Sequence, residues 1–162
     1  IARERAGGMA PQVYVNAAMR QGTEQEPLAR AAYAERMVVE VEQTGFWTTD
    51  DSMFGASPDG LVGTDGLIEI KTMVSSATLF RAVVNRDLSD YLDQINGALW
   101  ITGRRWCDLV LWAPDLEPIG RHLTVIRIDR DEDEITDMVD DLVEFSRLVT
   151  RLETQLRQPL AA

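Results

Sequence analysis

The chain has 162 residues, 45% of them hydrophobic and 27% charged, with a net charge of −11. That length suits one domain with a sizeable core, no apolar run approaches the ~18 residues a membrane span needs, and no signal-peptide pattern is present. The single cysteine, Cys107, excludes an internal disulfide and a multi-cysteine zinc site, and the lone His122 gives histidine-based catalysis no support.

The negative charge argues against a protein that coats nucleic acid through a basic surface. It is unevenly spread, however: residues 129–144 carry nine Asp or Glu beside one arginine, and the remainder is near neutral. A local DNA channel therefore stays compatible with the composition.

The opening IARERAGGMAP reads as cut from something longer, and no repeat or linker follows. Residues 23–45 have helix-favouring composition, with Pro27 acceptable in a first turn and Gly45 as the stop. Leu28, Ala31, Ala32, Met37, Val38 and Val41 are its expected buried face. Short β-like runs come next: GFWTTDD, then FGASPDGLV and GLIEIKTM joined by the turn signal GTDG. SSATLFRAVVNR and SDYLDQINGALWITG read as two helices, the second capped by Ser89 or Asp90 and ended by Gly103. RRWCDLVLWAP and GRHLTVIRIDR read as strands, with Cys107 a small buried residue and His122 an ordinary strand histidine. From residue 130 to about 157 runs one amphipathic helix, acids at its start and arginines at its end, as the helix dipole favours. The order α, β-meander, α, α, β, β, α predicts an α/β (α+β) fold: one central mixed sheet with helices on both sides.

GLIEIKT holds the only lysine, Lys71, against fifteen arginines. On a strand, Ile68 and Ile70 face one way and Glu69 and Lys71 the other. With GTDG as the turn, Val62 falls opposite Leu67 and Asp59 opposite Ile70, to within one residue. Pro58 and Gly60 predict a bend that turns Asp59 toward Glu69. Two carboxylates that close repel by about 1–4 kcal/mol, and a hard divalent cation relieves the conflict. Such an ion makes bound water a better nucleophile. A lysine beside it adds charge and a shiftable pKa, which arginine does not offer. The plainer alternative is a surface Glu–Lys pair decorating a strand.

ASPDGLV…GLIEIK resembles the PD-(D/E)xK nuclease motif in the form found in phage lambda exonuclease and the YqaJ-type viral recombinases. GTEQEPLAR resembles that family's Gly-x-x-x-Glu-x-x-Ala-Arg helix start, through Gly22, Glu26, Ala29 and Arg30, and YLDQINGALWITG resembles its glutamine-bearing helix. The resemblance covers about residues 20–155. It implies a restriction-endonuclease-like core in a single nuclease domain over residues 1–162 whose N-terminal part is missing. It further implies Asp59, Glu69 and the Ile70 carbonyl as ligands of Mg²⁺ or Mn²⁺, and Lys71 positioning or activating the attacking water. Glu26 would add a carboxylate for a second ion, or for water and Lys71, and Gln94 would stand at the site edge. Glu26, three residues after Thr23, also has the spacing of a helix-capping box. Arg30, Arg81, Arg86, Arg104 and Arg105 are candidate phosphate contacts.

Relatives carry an N-terminal Ser/Thr segment and an arginine for a 5′-phosphate; this chain starts where that segment should finish, with Arg3 and Arg5 as candidate remnants. The expected activity is 5′–3′ exonucleolysis of double-stranded DNA in phage recombination, in the cytoplasm of the host cell. Implied partners are duplex DNA, a single-strand annealing protein, and further copies in a homotrimeric ring, with no membrane. The alternatives are a structure-specific or restriction-type endonuclease with the same site, and a non-catalytic DNA-binding or assembly module.

Overall fold

The computed structural model describes residues 1–10 and 16–158. Its helices are α1 (Ala2–Arg5), α2 (Ala17–Met37), α3 (Ser76–Leu79, running on into a π-helical turn at Phe80–Val84), α4 (Ser89–Thr102) and α5 (Glu132–Arg157). Its strands are β1 (Val41–Glu42), β2 (Trp47–Thr48), β3 (Gly55–Ala56), β4 (Gly60–Val62), β5 (Gly66–Thr72), β6 (Trp106–Trp112) and β7 (Leu123–Asp129). Five strands form one mixed sheet in the order β1-β4-β5-β6-β7, and β2 pairs with β3 as a separate ribbon. Among the described strands only β5 and β6 run parallel; the connection between them carries α3 and α4.

Two cores sandwich the sheet. Ile68 and Ile70 of β5, with Val110 and Trp112 of β6, pack on Ala29 and Tyr33 of α2. Leu67, Cys107, Leu109 and Leu111 pack the other way, on Tyr91, Ile95 and Leu99 of α4 and Ile135 of α5. The odd-numbered residues of β5 therefore face α4, and Glu69 is among them.

The first long helix differs from its expected bounds. It begins where the Asn16 side chain accepts from the Met19 N–H, and it ends at Val38, whose φ of 55° is left-handed. The valine-rich run Val38-Val39-Glu40-Val41 does not extend the helix; Val41 and Glu42 pair with β4 instead. Pro27 and Gly22 consequently lie inside the helix, not in its first turn. The expected apolar face holds in part: Ala32 and Val41 pack partly buried against the core, whereas Leu28, Ala31, Met37 and Val38 are exposed, and Ala29 and Tyr33 are the fully buried residues. The face laid on the sheet is small and partly polar, and Arg30, next to Ala29, reaches the β4 bend from it.

The β4–β5 register lies one residue from the pairing named above, inside its margin of one residue. Val62 pairs with Gly66 and Leu61 with Leu67, so the loop is three residues long, with Gly63 in the left-handed region at φ 53°. Helix α4 ends at Gly103 as expected, but its first turn is capped from outside: the Asp87 carboxylate accepts from the Ser89 N–H and hydroxyl. Helix α5 is capped by Asp131, which accepts from the N–H groups of Asp133 and Glu134. Cys107 is buried, and His122 stands just before β7, edge-on to Trp112.

Candidate active site

Asp59 lies in the bend before β4, between Pro58 and Gly60. Its N–H donates to the Ile68 carbonyl (3.2 Å), and its Oδ2 accepts from the Ile70 N–H (2.6 Å). The side chain thus takes the place of the next ladder bond and holds its carboxylate against β5. Gly60 lets β1 close over this bend, since a Cβ there would meet Val41 Cγ1 at 2.4 Å.

Glu69, in mid-β5, is only 3% exposed. Its Oε1 accepts from Lys71 Nζ (2.7 Å) and from Gln94 Nε2 (2.6 Å), while Gln94 Oε1 accepts from Lys71 Nζ (2.8 Å). Strand alternation puts Glu69 and Lys71 on one face, and α4 crosses that face to supply Gln94. The three side chains close a triangle.

Burial, and then the Asp59 charge, raise the Glu69 carboxyl to about 7 against the opposing pull of Lys71. Asp59 is also raised, by burial first, against the Ile70 N–H and with Glu26 adding repulsion. Each acid makes the other harder to ionise, and the Lys71 ammonium offsets this only in part.

Glu26 sits in mid-helix, so the capping-box alternative falls: Thr23 donates its hydroxyl to the Met19 carbonyl inside the helix. Glu26 pairs with Arg30, one turn on, and Arg30 Nε donates to the Asp59 carbonyl (2.9 Å). Arg30 is therefore an internal tie between α2 and the Asp59 bend. Arg104 is likewise bonded within the fold. Its guanidinium donates to the Gly63 (2.9 Å) and Gly66 (2.5 Å) carbonyls at the β4–β5 turn, the opposite end of β5 from Lys71. Arg105 is exposed at that same end. Arg81 is exposed and bridges Asp87 and Asp90. Arg86, also exposed, has a left-handed φ of 56°.

The donors around the bend are all oxygens, which suits a hard divalent cation, and two mutually repelling carboxylates, one buried and one half-buried, are the electrostatics such an ion relieves. Neither Asp59 Oδ1 nor Glu69 Oε2 accepts a hydrogen bond from a described residue. Among the described residues no three His, Cys, Asp or Glu side chains converge as a ready-made cluster. The fit is to two carboxylates and a carbonyl, with Glu26 held aside by Arg30.

The YqaJ-like viral recombinase domain family matches residues 2–105. The chain belongs to this family. An alkaline exonuclease from Laribacter hongkongensis has 32% sequence identity and a TM-score of 0.83, over 95% of this chain and 77% of that one. The same enzyme in complex with dAMP gives 33% identity and a TM-score of 0.84, over 96% and 78%. A phage-related exonuclease from Haemophilus somnus, at 17% identity, shares the fold, with a TM-score of 0.69 over 96% of this chain and 80% of that one. No curated protein matches significantly. Within the family frame, sequence reasoning missed Tyr33 and Asp108. The Tyr33 hydroxyl donates to Asp108 Oδ2 (2.7 Å) beneath α2, and Arg127 pairs with Asp108 from β7. The available signal was an aspartate set in the apolar run of β6.

Proposed function

We propose that the chain is a DNA exonuclease of this family that hydrolyses phosphodiester bonds with the help of a divalent metal ion, Mg²⁺ or Mn²⁺. The observation that carries the reading is Glu69: a nearly sealed acid, ion-paired to the only lysine, set on one strand against the bend of Asp59. A strand decorated at random gives neither the burial nor the convergence of Asp59, Glu69, Lys71 and Gln94.

Asp59, Glu69 and the Ile70 carbonyl would hold the ion. When bound, it supplies Lewis-acid activation of phosphate and water. Lys71 Nζ orients the attacking water or takes its proton, and places positive charge where the transition state gathers negative charge. Gln94 fixes both Lys71 and Glu69. Arg30 keeps the Asp59 bend in place, with Glu26 orienting Arg30. The substrate is duplex DNA. Ring assembly and cooperation with a single-strand annealing protein extend the same family reading. No helix among the described residues is long and apolar enough to cross a membrane.

The test compares a linear duplex carrying 5′-phosphates, a linear duplex with blocked ends and a covalently closed circle, each with and without Mg²⁺. The expected result is Mg²⁺-dependent shortening of the first alone. Cleavage of the closed circle overturns the exonuclease reading and leaves an endonuclease with the same site.

A further inference from the structure

Tyr91 stands in the first turn of α4 and is 8% exposed, its ring packed in the core between α4 and the sheet. It shares a helix face with Gln94, one turn on. Helix α4 runs against β5: its C-terminal end leads to Arg104, which bonds the Gly66 carbonyl at the start of β5, while Gln94 in mid-helix meets Glu69 and Lys71. Three residues of helix rise about 4.5 Å. Tyr91 is displaced by that much from Gln94 toward the far end of β5, which brings it to the outer side of Lys71. The same core cluster holds Leu111, the cross-strand neighbour of Lys71, and Met73.

The hydroxyl of Tyr33 is committed to Asp108. That of Tyr91 bonds to no described residue and opens to solvent. A core that grips the ring and leaves the hydroxyl at the surface presents a donor at a fixed place. Burial raises the pKa of this hydroxyl, Asp90 adds to the rise, and Lys71 and Arg81 oppose it. The group therefore stays protonated at neutral pH. The cations beside it are already matched, Lys71 Nζ by Glu69 and Gln94, and Arg81 by Asp87 and Asp90. Tyr91 offers an uncommitted neutral donor on this side of the site.

A ligand at this place accepts a hydrogen bond and is drawn to the Lys71 ammonium. A phosphodiester oxygen meets both conditions. Hydroxyl donors to phosphate oxygens fix the register of a DNA strand without reading its bases. A hydrogen bond to an ionised acceptor is also about twice as strong as one between neutral groups. The two acids proposed to hold the ion lie on the other side of Lys71, so the phosphate within reach of Tyr91 is a neighbour of the one that is cut.

We propose that the Tyr91 hydroxyl donates to a phosphate oxygen of the DNA strand being cut, at a linkage flanking the scissile one, and so sets the register of that strand over Lys71. The proposal rests on the nuclease reading and adds a DNA-contacting residue to it.

The test uses the full chain and a hairpin duplex with one free end, labelled away from that end, and reads binding by fluorescence anisotropy without divalent ion. Tyr91→Phe keeps the ring. It is expected to melt with wild type and to bind about 10-fold more weakly, the scale of one hydrogen bond to a charged acceptor. A set of duplexes then carries one uncharged methylphosphonate each, at successive linkages of the strand to be cut. At one linkage wild type is expected to lose about as much as Tyr91→Phe loses on the ordinary duplex, and Tyr91→Phe to lose nothing further there. At the other linkages the two losses add. Equal binding by wild type and Tyr91→Phe overturns the contact and leaves the nuclease assignment standing. Losses that add at every linkage also overturn it, since the variant then acts through packing. A scan in which no flanking linkage matters to wild type overturns it as well, and that arm needs no variant to fold. Metal-dependent cutting by wild type is read separately, so the two assignments fail separately.

Discussion

Arg30 Nε donates to the main-chain carbonyl of Asp59 at 2.9 Å, joining α2 to the bend that carries the first acid of the site. The same guanidinium pairs with Glu26, and its side chain is 12% exposed. One arginine thus sets the distance between helix and bend, and it also neutralises a carboxylate whose charge raises Asp59. Arg30→Gln is expected to lower kcat about 10- to 100-fold, the scale of a misplaced reacting group. It should weaken the fold by about 1–3 kcal/mol through the unpaired carbonyl and acid. Steady-state kinetics and thermal melting measure the two effects. Wild-type kcat in a folded variant would remove Arg30 from the site.

Glu69 gives the pH dependence. Its folded-state pKa is about 7 against an ordinary 4.5, with burial the main cause. The folded form binds this proton more tightly than the unfolded form. The resulting stability is present below about pH 4.5 and is lost as pH rises through about 7. Asp59, raised as well, acts in the same direction. The ion-free protein is therefore expected to lose on the order of 2–3 kcal/mol between pH 5 and 8, or roughly 5–10 °C in Tm. Glu69→Gln should flatten this slope, and Mg²⁺ should raise Tm at pH 8 in wild type by mass action. A wild-type Tm that climbs over this range contradicts the raised pKa.

Much of this was legible because each feature had a local cause. Alternation in LIEIK separates Ile68 and Ile70 from Glu69 and Lys71, and Pro58 and Gly60 mark the bend at Asp59. The loop between β4 and β5 was less legible. GTDG supports either a four-residue or a three-residue closure, and the one-residue shift follows from Gly66 joining β5. Helix α2 was misplaced because its cap, Asn16, lies far from its helix-rich stretch, and because Pro27 argued for a nearby start. The partners of Arg30 and Arg104 are main-chain carbonyls distant in sequence, and no pattern of residue types announces such bonds.

Gln94 touches both Glu69 and Lys71, donating to the first and accepting from the second. Gln94→Ala keeps the Glu69–Lys71 ion pair and is expected to cost about 10-fold in kcat. Gln94→Glu replaces a donor with a carboxylate next to a buried acid. It should raise the Glu69 pKa further and cost more than the alanine at neutral pH, with the gap narrowing as pH falls. Rate profiles of both variants against pH measure this. Parallel profiles would mean that Gln94 does not act through Glu69.

Lys71 tests why this chain keeps one lysine. Its Nζ lies 2.7 Å from Glu69 Oε1 and 2.8 Å from Gln94 Oε1, a compact ammonium between two close oxygens. An arginine there keeps the charge, but its planar fork reaches further and does not release a proton. Lys71→Arg is expected to fold and to lose at least about 100-fold in kcat, within the usual range for a positioned acid or base. If it cleaves as fast as wild type, charge alone suffices at this position.

Asp108 holds α2 onto the sheet from the other side. It is 1% exposed, accepts from the Tyr33 hydroxyl at 2.7 Å, and is gripped by Arg127, its cross-strand neighbour, whose guanidinium lies 3.6 Å over the Trp106 ring. Burial, and then the bond to Asp108, push the Tyr33 hydroxyl well above its ordinary pKa, so it remains a donor. Tyr33→Phe leaves Asp108 its arginine and should cost about 1–2 kcal/mol. Asp108→Ala strands both partners and should cost about 3–5 kcal/mol. The double variant should cost less than the sum, because Asp108→Ala has already broken the Tyr33 bond. Chemical denaturation of the three variants measures the cycle. Strict additivity would mean that the Tyr33–Asp108 bond contributes nothing to seating the helix that carries Arg30.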